Sequence, residues 1–133
     1  MIFRRGILNR LMGNRGERAA ARFLRRHGFR ILARQSRSRI GEIDLIALDG
    51  DTVVFVEVKT RSSHTAGHPS EAVTFSKQRQ LTRAALAWLK RRRLLNQRGR
   101  FDVVAITWSD SGPPQIEHYR NAFEPSGSGQ MFS

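Results

Sequence analysis

Residues 41–60 read GEIDLIALDGDTVVFVEVKT, and this stretch decides the fold. The segments 43–48 and 52–60 are rich in β-branched and large apolar residues, which favour β-strands. The DGD sequence at 49–51 is a turn signal, so the stretch predicts a β-hairpin. Both predicted strands carry apolar residues on both faces, which indicates that the hairpin lies deep inside a sheet.

Three charged residues interrupt these apolar strands: Asp44, Glu57 and Lys59. Burying a charge is costly, so such residues are expected only where something uses them. Alternate residues of a strand share a face, which puts Glu57 and Lys59 on the same side. A two-residue loop pairs Asp44 with either Phe55 or Glu57, and both registers place Asp44 on that side too. A three-residue loop would break this parity unless a bulge restored it.

Two neighbouring carboxylates repel each other, and a divalent cation removes that penalty. A site with oxygen ligands and no His or Cys suits Mg²⁺ or Mn²⁺ better than zinc. Lys59 could orient a water molecule or stabilise developing negative charge beside the metal. The pattern therefore predicts a phosphodiester-hydrolysis site, and a cross-strand ion-pair cluster without catalysis is the alternative.

Helical and strand patterns flank the hairpin. The NRGE sequence at 14–17 resembles a capping box, and apolar residues at helical spacing predict a helix from there to Gly28. The remaining predicted elements are a strand at 29–34, a basic turn at 35–39, a polar loop at 61–69, a helical turn at 70–73, a helix at 76–94, a strand at 101–108 and an edge strand at 115–119. The order αβββαβ(β) predicts an α/β fold with a mixed central sheet flanked by helices.

The chain has 133 residues, which suits a single domain. We expect this domain at 13–120, with a basic arm at 1–12 and a disordered, Ser- and Gly-rich tail at 121–133. The 24 Lys and Arg residues outnumber the 11 Asp and Glu residues, and residues 1–40 hold twelve arginines with a single acid, Glu17. So positive a block indicates a polyanionic partner, and a nucleic acid is a better match than an anionic membrane.

The absence of cysteine excludes disulfides and thiolate zinc sites. No apolar run reaches the length of a membrane span, and arginines interrupt any signal-peptide core at the N-terminus. We therefore expect a cytoplasmic protein with no membrane partner. His64 and His68 have a zinc-like spacing, but they lie in the polar loop. We expect Trp88 in the core, and Trp108 and Tyr119 to pack at the sheet edge rather than to stack on bases.

The sequence resembles the PD-(D/E)XK nuclease superfamily, and more closely the bacterial YraN-type family of predicted endonucleases. The matching pieces span residues 13–108: Gly16-Glu17, GEIDLI at 41–46, FVEVKTR at 55–61, Lys77-Gln78 and RFDVV at 100–104. The resemblance implies a restriction-endonuclease-like fold, similar to that of archaeal Holliday junction resolvases. It also implies a Mg²⁺- or Mn²⁺-dependent endonuclease that acts on DNA rather than RNA, including branched or junction DNA. Ile43 replaces the proline for which the superfamily is named.

The resemblance implies a role for each matching residue. Asp44 and Glu57 would bind the metal ion, with the Val58 carbonyl as a further ligand. Lys59 would be the catalytic lysine, and Glu17 the helix-borne acid that completes the site. A capping-box role for Glu17 stays open. The residues expected to contact nucleic acid are Lys77, Gln78, Arg61, Arg37, Arg39, Arg91 and Arg92.

Several assignments stay open at this point. Glu42 could be an outer-shell acid or a strand-edge charge, and Lys77 could contact a phosphate or begin a solvated helix. Asp102 matches a family position, but the sequence offers no physical role for it. Two rival functions are a non-catalytic nucleic-acid-binding module on the same fold, and a protein whose basic arm docks on an acidic partner. The resolvases are dimers, so the resemblance allows a homodimer, although no dimer seam is readable.

Overall fold

The computed structural model describes the backbone of residues 2–62 and 73–125, and the side chains from residue 14 onward within those ranges. Its elements are α1 (Ile2–Arg26), β1 (Arg30–Arg37), β2 (Glu42–Asp49), β3 (Thr52–Ser62), α2 (Phe75–Arg91), β4 (Gly99–Trp108) and β5 (Gln115–Phe123). This order confirms the predicted α/β fold with a mixed central sheet. The architecture is compatible with a restriction-endonuclease-like fold.

The sheet has five strands in the order β1-β2-β3-β4-β5. The β3–β4 pair is parallel, and the other three pairs are antiparallel. The chain crosses from β3 to β4 through α2, as a parallel connection requires. Strands β2 and β3 both have neighbours on each side, which confirms that the hairpin lies deep in the sheet.

The two helices cover opposite faces of the sheet. On one face, Leu24 of α1 packs with Leu45 and Val56. On the other, Trp88 of α2 packs edge to face on Phe55, with ring centroids 5.9 Å apart. Trp88 is buried, as predicted. The sheet is therefore apolar on both faces, and this explains the nearly continuous hydrophobic runs of β2 and β3.

The hairpin register follows from its turn. Leu45 lies opposite Val56 and Asp49 lies opposite Thr52, so the connecting loop consists of residues 50–51. Gly50 adopts the left-handed conformation that such a tight turn needs, with φ of 61°. The sequence allowed two registers, and the structure has the one with the loop at 50–51. Continued by one residue, this register places residue 44 opposite residue 57.

The prediction that the first helix begins near Asn14 in a capping box is wrong. Helix α1 runs without a break from Ile2 to Arg26, so residues 14–17 lie inside it. Asn14 accepts a hydrogen bond from the side chain of Gln35 instead of capping a helix end. A glycine costs only about 1 kcal/mol in a helix interior, so the glycines at 6, 13 and 16 do not stop a helix rich in Arg and Leu.

Several strands are longer than predicted. β1 extends to Arg37, and the reversal follows it, closed by hydrogen bonds between the backbones of Ser38 and Gly41. β5 extends to Phe123, so residues 121–123 belong to the sheet and not to a tail. Residues 126–133 and the histidines at 64 and 68 lie outside the described residues. So does most of the predicted helical turn at 70–73. Among the helices that the structure describes, none is long and apolar enough to cross a bilayer.

Candidate active site

The side chain of Asp44 accepts a hydrogen bond from β3 just beyond the point where the backbone pairing of β2 with β3 ends. The last cross-strand pair is Leu45 with Val56. Beyond it, the backbone N–H of Val58 donates to Oδ2 of Asp44 at 2.8 Å. This bond fixes the carboxyl of Asp44 at the end of the hairpin ladder.

Glu57 lies next to this carboxyl and is only 6% exposed. Its Oε1 atom lies 3.6 Å from Nζ of Lys59 and 3.9 Å from Nζ of Lys77. Its Oε2 atom is buried and has no hydrogen-bond partner within the described part of the chain. Asp44 lies close enough to Glu57 to raise the pKa of Glu57. The structure thus brings together the two acids and the lysine that the hairpin pattern singled out.

Two more acids reach the same place from different elements. Carboxylate oxygens of Glu17, Glu42 and Asp44 all lie within 4.8 Å of one another. Glu17 projects from α1 and is 6% exposed, and Glu42 opens β2. We call these three acids together with Glu57 the acid cluster. Of the alternatives for Glu42, the structure favours membership of this cluster, where Arg37 also pairs with it at 3.8 Å.

Gln35 is a residue of the site that the sequence did not indicate. Its side chain donates to Oδ1 of Asn14 on α1 and lies close enough to Glu17 to lower the pKa of that acid. Its backbone has φ of 49°, a left-handed conformation that is unfavourable for a residue other than glycine. A glutamine in a predicted basic turn carries no signal of this role, because the contact depends on how α1 docks on the sheet.

Burial and the closeness of the acids raise their pKa values. Burial, and then the neighbouring Asp44 and Glu42, raise the pKa of Glu17 to about 7. Burial and Asp44 raise the pKa of Glu57 to about 7 as well. Burial also raises the pKa of Asp44, although the N–H of Val58 opposes the shift. Each carboxylate is therefore costly to ionise while the others are ionised, unless a cation joins them.

The acid cluster suits a hard divalent cation. Its ligand atoms are all carboxylate oxygens, which match Mg²⁺ or Mn²⁺. The buried Oε2 of Glu57, which has no hydrogen-bond donor among the described residues, is an acceptor that such an ion could satisfy. Val58 contributes its N–H to Asp44, and the proposed ligand role of its carbonyl stays a prediction.

The residues predicted to contact nucleic acid are only partly near the acid cluster. Lys77 lies near the cluster because it pairs with Glu57, and Arg37 lies near it because it pairs with Glu42. Gln78 donates from its side chain to the carbonyl of Val73 at 3.0 Å and so supports the start of α2.

The other predicted contacts lie at three different places. Arg61 donates to Thr107 on β4 at 3.4 Å. Arg39 lines a groove beside α2. Arg91 and Arg92 lie at the far end of α2, about 20 Å from Lys77 by helical rise, and Arg92 covers the ring of Trp88 at 4.2 Å.

Asp102, which had no role from the sequence, belongs to a second and separate network. It is fully buried and accepts hydrogen bonds from Arg100 at 2.9 Å, His118 at 2.8 Å and the backbone of Asn121 at 3.0 Å. Burial favours the neutral acid, but these bonds outweigh it and lower the pKa of Asp102. Arg100 also reaches Asp49 at the hairpin turn, at 2.9 Å. The network ties β4 and β5 to that turn and is structural.

Tyr119 lies on the edge strand β5 and packs against the core, as expected, whereas Trp108 ends β4, an inner strand, and packs against the core on the other face of the sheet. The guanidinium of Arg15 lies over the ring of Trp108, 4.0 Å from its centroid. The hydroxyl of Tyr119 donates to Glu117 within β5.

Comparisons with known proteins match most of the chain. The model of the uncharacterised protein family UPF0102 matches residues 16–106. A UPF0102 protein of Geobacter metallireducens is 53% identical over 116 residues, which cover 87% of this chain and 94% of the relative. One from Rhodococcus opacus is 52% identical over 115 residues, covering 86% and 98%. One from Rhodopirellula baltica is 49% identical over 123 residues, covering 90% and 74%. The matched region contains the whole acid cluster.

Proposed function

Because the chain belongs to protein family UPF0102, the YraN family, whose reaction is not established, we propose its function from the acid cluster: a metal-dependent endonuclease that hydrolyses phosphodiester bonds. The observation that carries the proposal is that carboxylate oxygens of Glu17, Glu42 and Asp44 lie within 4.8 Å of one another, with buried Glu57 beside Asp44. Two lysines, at 59 and 77, lie next to Glu57. Placing this many buried carboxyls together is unfavourable without a cation. The arrangement is therefore better explained by function than by stability.

Each residue has a distinct task in the proposed reaction. Asp44, held by the N–H of Val58, and Glu57 would hold Mg²⁺ or Mn²⁺, with Glu17 completing the set of acids. When bound, the ion would supply Lewis-acid activation of a water molecule and of the phosphate. Lys59 is 31% exposed, so its ammonium can meet an incoming phosphate while it stays beside Glu57. There it can donate to a phosphate oxygen and stabilise the negative charge that develops during attack.

The charge of the protein supports a nucleic acid as the substrate. The net charge is +13, and exposed arginines lie near the acid cluster. Phosphodiester backbones are the polyanions that such a surface binds, with an affinity that falls steeply with salt. We propose DNA, including branched or junction DNA, as the substrate and the cytoplasm as the compartment, and we retain a homodimer as a hypothesis.

One observation favours a non-catalytic module instead. Lys59 and Lys77 both lie within ion-pair distance of Glu57, so part of the acid charge is already balanced. A domain that only binds nucleic acid could keep these ion pairs for stability. It would bind DNA in a salt-dependent way and cut no substrate with any metal ion.

The decisive experiment is a cleavage screen with Mg²⁺ or Mn²⁺ over single strands, flaps, duplexes and four-way junctions. We expect cleavage that EDTA abolishes. Asp44→Asn keeps an acceptor for the N–H of Val58 but removes the charge, and Lys59→Ala removes the ammonium. Each should slow cleavage by about a hundredfold or more while binding in EDTA persists.

Asp51→Asn is the matched control, because Asp51 is an exposed acid at the opposite end of the same hairpin. It should cut like the wild type. Cleavage by Lys59→Ala at the wild-type rate would refute the mechanism. A wild-type protein that binds every substrate and cuts none would support the non-catalytic module.

A further inference from the structure

A groove beside α2 opens next to the acid cluster. It encloses about 540 Å³ between the reversal that follows β1 and the first turns of α2. Within the described part of the chain it is lined by Arg39, Ile40, Ser76, Arg79, Gln80 and Arg83. None of these six residues is acidic, and the three arginines are exposed. The groove therefore presents three positive charges to any ligand that enters it.

The groove adjoins the acid cluster at two points along the chain. Ser76 in its lining precedes Lys77, whose ammonium lies 3.9 Å from Glu57. Its other wall comes from the reversal that ends in Gly41, the residue before Glu42. A Cβ atom at Gly41 would fall 1.6 Å from Nε2 of Gln80, so this glycine lets the reversal close directly against α2. A chain of phosphates lying in the groove would lead into the site.

An exposed aromatic residue directly precedes the groove residue Ser76 at the start of α2. Phe75, the first residue of α2, is 79% exposed. It lies four residues before Arg79 and eight before Arg83, so all three share one row of the helix surface. A ring this exposed is available to stack against a ligand. On the α1 side of the molecule, by contrast, the ring of Trp108 is already stacked with Arg15, 4.0 Å away.

We propose that this groove binds a single strand of nucleic acid, with its phosphates on Arg39, Arg79 and Arg83 and one unpaired base stacked on Phe75. In a duplex the faces of the bases are hidden in the stack, whereas an unpaired base can cover an exposed aromatic ring. The proposal rests on the proposed nuclease function, because the groove would deliver the strand to the acid cluster. It specifies the substrate as nucleic acid that is single-stranded beside the cleavage point.

The test measures binding in EDTA, where no cutting occurs, by fluorescence anisotropy of a labelled single strand and of the duplex of the same sequence. Phe75→Ala should weaken single-strand binding by about tenfold, as loss of one stacked base predicts, and leave duplex binding unchanged. Phe75→Trp should restore single-strand binding. The double variant Arg79→Gln/Arg83→Gln should weaken single-strand binding and lower the slope of log affinity against log salt by about 1.4.

Two exposed residues near the opposite end of α2 are matched controls: Leu95→Ala for the lost apolar surface and Arg98→Gln for the lost charge. Single-strand binding by Phe75→Ala equal to that of Leu95→Ala would overturn the proposal. So would an equal loss on the duplex, or a double variant that behaves like Arg98→Gln. Melting temperatures of all variants check that each is folded.

The same proteins, assayed with Mg²⁺ or Mn²⁺, separate this inference from the proposed function. Groove-dependent single-strand binding without any cleavage would leave the groove standing and refute the nuclease. Cleavage that is unaffected by the Phe75 and arginine substitutions would refute the groove alone.

Discussion

Glu57 is a buried acid of the site whose ionisation is unfavourable. Its pKa is raised from 4.5 to about 7, by burial first and by Asp44 second. A carboxyl whose pKa is higher in the folded state stabilises the fold while protonated, and this contribution is lost as pH rises through about 7. We expect the melting temperature of the metal-free protein to fall as pH rises from about 4.5 to about 7 and to level off above that. In Glu57→Gln, whose amide does not ionise, the fall should be shallower.

Thermal denaturation in EDTA at several pH values measures this difference. Glu117→Gln, an exposed acid on the edge strand β5, should follow the wild-type curve. Mn²⁺ at about pH 8 should raise the melting temperature of the wild type, because an ion that binds only the folded state stabilises it. It should do so less in Glu57→Gln. Parallel pH curves for the wild type and Glu57→Gln would contradict the assignment of Glu57 as a costly buried charge.

Helix α1 carries Glu17 to the sheet, and a glycine sets how closely it packs. A Cβ atom at Gly16 would lie 2.5 Å from Cγ2 of Thr60 on β3. Thr60 is β-branched and adjusts little, so Gly16→Ala should push α1 outward and move Glu17 away from Asp44. We expect a loss of about 1–3 kcal/mol in the free energy of unfolding, measured in urea. Weaker Mn²⁺ binding should accompany it.

A second substitution tests whether that contact is the cause. Thr60→Ser removes Cγ2, and the next atoms, on Val58 and Ile106, lie 3.7 and 3.9 Å from the added Cβ, which is ordinary contact. The double variant Gly16→Ala/Thr60→Ser should therefore recover both stability and Mn²⁺ binding, with Thr60→Ser alone as the control. If the double variant is as impaired as Gly16→Ala, the close approach of α1 to β3 is not what positions Glu17.

At the scale of the whole molecule, two buried ionic networks among the described residues have different purposes. The acid cluster is an excess of negative groups, whereas Asp102 is fully matched by Arg100, His118 and the backbone of Asn121. Removing the carboxylate in Asp102→Ala leaves Arg100 and His118 without it inside the protein. We expect a loss of about 3–5 kcal/mol in the free energy of unfolding, measured by urea denaturation.

The folded Asp102→Ala protein should bind Mn²⁺ like the wild type, because Asp102 contacts no member of the acid cluster within the described residues. Asp51→Ala, an exposed acid on the hairpin turn, serves as the control and should change stability by less than about 0.5 kcal/mol. A large loss of Mn²⁺ affinity in Asp102→Ala would show that the two networks are coupled.

Much of the fold could be predicted from local patterns. β-branched residues and a turn signal located β2 and β3, and a helical pattern located α2, because such patterns reflect local conformation and burial. Element ends were less predictable. The helix start at Asn14 was wrong, since a capping sequence competes with a helix that continues through it, and the ends of β1 and β5 depend on neighbours that a local pattern does not contain.

The sequence by itself determined that residues 44, 57 and 59 share one side of a buried hairpin, because strand geometry alternates with a period of two residues. Only the tertiary structure decided that Glu17, Gln35 and Lys77 meet them there. Those residues lie on α1, β1 and α2, far apart along the chain. Their convergence depends on how closely each helix packs on the sheet, as at Gly16, and this is set by contacts between elements and not by spacing within one.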